Sequence, residues 1–150
     1  FSHSITIIGG RAYEASMVHG CRAGTIDQLM DGIIVYRDMH VIVPDIDAAQ
    51  AFAEAQCAPP PPVTPKKYDF RGAVGIPLTY SVDWADDDRW WCSDLTFAIV
   101  LAGGLRLFDP DMMKRVRPID LHMVDYPKGP IVRTRRPPQV PPTSPQPRAF

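Results

Sequence analysis

The run Cys92-Ser-Asp-Leu-Thr-Phe-Ala-Ile-Val-Leu-Ala102, closed by Gly103-Gly104, restricts the fold of this chain more than any other segment. A polar start, an apolar body and glycine at the C-cap position predict a helix. The body is apolar on nearly every side, so this helix has to be central and the rest of the chain has to cover it. The 150 residues are enough for one domain with a real core and short for two. Not all of them can take part in it. The 17 prolines gather between Ala58 and Pro65 and after Tyr126, where fixed backbone angles and missing N–H groups oppose regular packing.

The cover is sought first at the start of the chain. His3-Ser-Ile-Thr-Ile-Ile and Arg11-Ala-Tyr-Glu-Ala-Ser16 flank Gly9-Gly10, which predicts a hairpin with a tight primed turn. Gly32-Ile-Ile-Val-Tyr-Arg37 reads as a further strand, with Met39 to Val43 continuing it or pairing with it. Pro44-Asp45 opens a helix from Asp47 to about Gln56, rich in alanine and acidic in its first turn. The proline run from Pro59 is a stiff connector to Lys66-Lys-Tyr-Asp-Phe-Arg71. Asp109-Pro-Asp suggests a short helix with proline at its first position, and Arg117-Pro-Ile-Asp-Leu121 reads as another cap and turn. From Lys128 on, the chain has five basic residues, no acid and many prolines, a composition that is disordered or lies extended on a partner. The expectation is an α+β fold, a central helix packed on a small antiparallel sheet over residues 1–127, with a Pro-rich extended tail over 128–150.

Composition narrows the function. With 45% apolar and 22% charged residues and a net charge of -1, the chain is not a nucleic-acid coat. No apolar run approaches the ~20 residues of a membrane span. Phe1-Ser2-His3 shows neither a basic n-region nor an apolar h-region, so no signal peptide is visible, and the absent methionine is consistent with a processed or truncated start. Three cysteines, at 21, 57 and 92, are an odd number and make no disulfide framework.

Cys92 stands out by position. A cysteine in the first turn of a helix lies beside unpaired amides and a positive dipole end, which favour a thiolate and supply oxyanion donors. The plain alternative is a small buried residue, and Asp94 in the same turn opposes thiolate formation. A nucleophilic cysteine also needs an imidazole and a group to hold it. If Gly9-Gly10 form the turn, Ile8 faces Arg11 and Ile5 faces Glu14, so Glu14 lies on the face of His3 at the diagonal position. His3 and Glu14 then form a base and its orienter; Ser16, opposite His3, is the alternative third member. A one-residue bulge would reverse this parity. Tyr68 and Tyr126 are phenols that could donate to an oxyanion, while Trp84, Trp90 and Trp91 line a cleft or pack on the helix. His19, Cys21, His40, Cys57 and His122 lack metal-ligand spacing, so no metal is expected. The glycines at 9, 10, 72 and 75 form no phosphate loop, and Asp83, Asp86, Asp87 and Asp88 lack the glycine and glutamate positions of a calcium loop. No cofactor is expected.

Ser2-His3 and its strand, Ala12-Tyr-Glu-Ala15, Tyr68-Asp-Phe-Arg-Gly72, Trp90-Trp-Cys-Ser-Asp-Leu95 and Arg117-Pro-Ile-Asp-Leu121 together resemble the circularly permuted papain-like cysteine hydrolases. More narrowly they are similar to the YiiX/YebB-like branch of the NlpC superfamily, which includes phage-encoded members. Where that family carries Cys-Ser-Glu, this chain has Cys92-Ser93-Asp94. The resemblance implies a permuted papain-like fold with Cys92 as nucleophile, His3 as base and Glu14 as third member. It further implies amide hydrolysis in bacterial cell-wall peptide, by an endopeptidase or amidase at cell-wall penetration or lysis. A virion, the bacterial cytoplasm or the envelope is the expected location, with the tail as a tether to phage subunits. Two other readings follow from the same residues: an acyl or thioester hydrolase on this fold, and an assembly protein that keeps the fold without the chemistry. A Cys92–His3 pair favours an enzyme, and a sulfur far from any imidazole favours the scaffold.

Overall fold

The computed structural model describes residues 3–31, 33, 35–59, 61–69, 89–109 and 116–133. Outside these lie Phe70 to Gly72, Trp84, the acidic loop at Asp83 to Asp88, the helix expected after Asp109 and the tail from residue 134. The fold is mixed α+β. Strands β1 (Thr6–Ile8), β2 (Arg11–Ser16) and β3 (Gly20–Thr25) form an antiparallel sheet in the order β1-β2-β3. Helix α1 (Ile26–Met30) follows, then β4 (Val35–Met39) and α2 (Ile46–Cys57). Strands β5 (Lys67–Tyr68) and β6 (Arg89–Trp90) pair in parallel and lead into α3 (Cys92–Ala102). Helix α4 (Pro118–Met123) and strand β7 (Lys128–Arg133) complete the described chain.

The first turn decides the geometry of the site. Gly9 and Gly10 have φ of 57° and 81°, which L-residues with side chains rarely adopt, so two residues reverse the chain. Ile8 consequently faces Arg11, Ile7 faces Ala12 and Thr6 faces Tyr13, with no bulge. At the other end of β2 the chain reverses again through Met17-Val18-His19, and Ser16 Oγ accepts from the amides of Val18 and His19 at 3.3 and 3.4 Å. Gly20, at φ 70°, then starts β3, and a Cβ there would stand 3.0 Å from the Lys66 carbonyl. Close approach at this point brings the Lys66 segment in, whose carbonyl accepts from the Cys21 amide at 2.8 Å.

Helix α3 is central, as its composition predicts. Eight of its residues are buried, and Leu95 and Ile99 join Ile8, Tyr13, Ala15, Cys21, Ala49, Ala53 and Cys57 in the main core between the sheet, α2 and α3. On its other side Phe97 packs with Val116 and Leu121, and its ring meets Phe108 edge-on at 5.5 Å. Helix α2 starts where its sequence indicates, because the Asp45 carboxylate accepts from the Ala48 amide at 2.9 Å.

Two expectations at the strands are corrected. Met39 extends the preceding strand, but His40 to Val43 neither extend it nor pair with it; the partner of β4 is β7, in the register Tyr36↔Val132 and Arg37↔Ile131. The expected tail boundary at Lys128 therefore falls inside the folded body, since Ile131 and Val132 supply β-branched side chains and Arg37 Nε donates to the Gly129 carbonyl at 2.8 Å. Strand β3 and helix α1 are elements that the sequence did not announce. Among the described residues, no helix is long and apolar enough to cross a membrane.

Candidate active site

Cys92 is the first residue of α3, and Trp91 before it is extended, with φ -99° and ψ 170° and no side-chain cap. The first intrahelical bond runs from Leu95 N–H to the Trp91 carbonyl at 3.0 Å, so the amides of Cys92 and Ser93 have no acceptor within the helix. The start of the helix is fixed from below: the indole of Trp91 donates to the Val116 carbonyl at 2.9 Å and the Ser93 hydroxyl donates to the same oxygen. Trp90 points elsewhere, its indole donating to Gln56 Oε1 at 3.0 Å and its ring meeting Phe52 edge-on. Both tryptophans thus anchor the entrance of the helix.

The segment before β1 brings His3 to this sulfur. Thr96, one turn after Cys92, ties the two together: its Oγ1 lies 3.1 Å from the Cys92 carbonyl and 3.2 Å from Ser4 Oγ, and it accepts from the Thr6 hydroxyl at 3.1 Å. His3 and Cys92 lie close enough for each to shift the other's titration. On its other side, His3 Nε2 meets Glu14 Oε2 at 2.6 Å. The ladder ends at Thr6↔Tyr13, so the expected pairing of Ile5 with Glu14 and of His3 with Ser16 is not formed; His3 reaches Glu14 from the segment before β1, and Ser16 Oγ accepts from its own turn amides. The structure thus brings Cys92, His3 and Glu14 together in one line.

Sequence reasoning missed Arg22. It stands opposite Glu14 in the β2–β3 register, and its Nε and Nη2 both lie 2.5 Å from Glu14 Oε1. Only recognition of β3 could have found it, by the same parity argument that places His3. Glu14 is 4% exposed, so the two cations take the place of water at its oxygens.

The electrostatics follow from these contacts. Burial raises the Cys92 thiol, but the hydrogen bond and charge of His3 and the donors of Ser4, backbone and hydroxyl, outweigh it and hold the thiol below its ordinary value. Burial lowers His3, yet its bonds to Cys92 and Glu14 and their charges raise it to about 9. Glu14 is pushed up by burial and pulled further down by His3 and Arg22, so it stays ionised. The shifts of Cys92 and His3 both run in the direction that favours a thiolate beside an imidazolium. Asp94 is fully buried in the same turn and does not prevent this. Tyr68 is raised to about 12 by burial and by the charges of Cys92 and Asp69, so its phenol remains a donor near the sulfur. Tyr126 lies in the turn before β7.

The other two thiols behave differently. Cys57 shares the core with Cys21, and the neighbouring thiol together with burial drives its titration upward. His19 and His40 are exposed on a turn and after β4, and Cys21 faces the core, so these residues do not converge on a metal site. Among the described residues no group of three or more His, Cys, Asp or Glu could hold a metal ion. No known protein family, curated protein or solved structure matches this chain.

Proposed function

We propose that this chain is a cysteine hydrolase of amide bonds on a permuted papain-like fold. The observation that carries the reading is the continuous line of contacts from the Cys92 sulfur through His3 to the buried Glu14 carboxylate. A buried thiol at a helix start has no structural need of an imidazole, and an imidazole in the segment before a strand has no structural need of a buried acid. Together they supply a nucleophile, a proton carrier and its orienter.

In the reaction the Cys92 thiolate adds to the amide carbon, and the carbonyl oxygen takes up the negative charge. The amides at the start of α3 receive that oxygen. Imidazolium His3 then gives its proton to the amide nitrogen as the C–N bond breaks, leaving a thioester on Cys92 and a free amine. Neutral His3 next takes a proton from water, whose oxygen attacks the thioester; the acid leaves and the thiolate returns. Glu14 keeps the imidazole ring in plane for both transfers. The resemblance of Ser2-His3, Trp90-Trp-Cys-Ser-Asp-Leu95 and the other matching stretches to the NlpC superfamily makes bacterial cell-wall peptide the proposed substrate class.

The test is incubation with cell-wall peptide fragments followed by mass spectrometry. One amide bond is expected to gain the mass of water, and Cys92→Ala should abolish this. Intact fragments after prolonged incubation with folded protein would overturn the assigned substrate class.

A further inference from the structure

Glu14 has a second cationic partner that amide hydrolysis by a Cys–His pair does not by itself require. We propose that Arg22 is a positioning residue of this site: its guanidinium, held on Glu14 Oε1, fixes the carboxylate with Oε2 toward His3 and completes a row of four alternating charges. The inference rests on the Cys92–His3–Glu14 reading above and adds the residue that makes its acid usable.

The geometry carries the argument. Glu14 and Arg22 are direct cross-strand neighbours, and two N–H groups of the fork converge on one carboxylate oxygen at 2.5 Å while the other oxygen serves His3 at 2.6 Å. A surface Glu–Arg pair of this kind would be a minor contact. Here the acid is 4% exposed and the arginine 37%, so the guanidinium bridges a buried acid to solvent. With His3 alone, the carboxylate would be free to turn about its own axis and would have one oxygen buried against the sheet. Lysine would keep the charge but not the planar fork that sets the angle.

Among the described residues the groups facing this row are few. His3 and Ser4 come from the segment before β1, Glu14 from β2, Arg22 from β3, and Tyr68 with Asp69 from β5. Asp94 lies on α3 beside Cys92, and Cys57 at the end of α2 is within the field of Glu14. Of these only His3 and Arg22 are cationic. Loss of the Arg22 charge therefore makes both Cys92 and His3 harder to deprotonate.

The experiment measures the pH midpoint of Cys92 alkylation by iodoacetamide in wild type, Arg22→Met, Arg22→Gln and Arg22→Lys. Removing a unit charge that lies beyond Glu14 and His3 from the sulfur, in partly screened surroundings, should raise the midpoint by about 0.5 to 1 unit, a 3- to 10-fold slower reaction below it. Arg22→Gln keeps a hydrogen bond to Glu14 without charge and should show the same rise if Arg22→Met does not fold. Arg22→Lys should return the midpoint toward wild type while kcat on a cell-wall peptide stays several-fold reduced at unchanged KM. An unmoved midpoint in folded Arg22→Gln would overturn the proposal. A moved midpoint in a protein that cuts no peptide leaves Arg22 its role and removes the hydrolase reading; cleavage with an unmoved midpoint does the reverse.

Discussion

Replacing Glu14 by glutamine tests how the site holds its proton. The side chain keeps its shape and its hydrogen-bonding capacity toward Arg22, but the charge 2.6 Å from His3 Nε2 is lost. An opposite charge at such a distance shifts a titrating partner by about 1–3 units. The His3 side chain is 34% exposed, and solvent screening places the effect in the lower part of that range. His3, raised to about 9 in the intact site, should then titrate about 1–2 units lower. At pH 8 the imidazolium fraction would fall from about nine tenths to between about a half and a tenth, and the Cys92 thiolate would lose its partner over the same interval. The assay is an NMR titration of nitrogen-labelled histidine rings, with His19, His40 and His122 as internal references. A His3 resonance that titrates at the same pH in wild type and in folded Glu14→Gln would refute the reasoning.

Three further outcomes follow from other contacts. Thr96→Val preserves shape but removes the hydroxyl that joins Ser4, Thr6 and the Cys92 carbonyl; urea denaturation should show a loss of about 1 kcal/mol, and Cys92 alkylation at neutral pH should slow several-fold. Phe97→Ala opens a cavity at a fully buried position of the central helix and should cost about 3–5 kcal/mol, visible as a large fall in the urea midpoint or as an unfolded product. Stability should also depend on pH in two directions. His3 is raised on folding, so its contribution is complete below the ordinary histidine range and is lost as pH rises through about 9. Glu14 is lowered, so its contribution is complete above the ordinary carboxylate range and is lost as pH falls through its folded value. Urea midpoints should therefore decline on both sides, and His3→Gln should flatten the alkaline decline.

The parts of the site that were legible in the sequence are those fixed by local rules. Gly9-Gly10 take the positive φ of a two-residue reversal and set the register as far as Thr6↔Tyr13, which directs the chain before it toward Glu14; the last step from Thr6 to His3 lies outside the ladder. Cys92 was legible because polar residues, an apolar body and a glycine pair mark both ends of its helix. Asp45 marked α2 in the same way, to within a residue. What escaped was decided by partners far away in the chain. Gly20-Cys-Arg-Ala-Gly-Thr25 has little intrinsic strand character; β2 and the Lys66 carbonyl make it one. Arg22 was hidden for that reason. Proline content obscured β7, because composition over the whole tail masked Ile131-Val132 and their pairing with β4.

The most direct test is the pH dependence of Cys92 alkylation by iodoacetamide, with His3→Ala alongside and the buried Cys21 and Cys57 as internal controls. The account predicts that Cys92 reacts with a midpoint well below the ~8.5 of a free thiol and that His3→Ala raises it. Cys92 reacting no faster than the two core cysteines, in wild type and mutant alike, would contradict it.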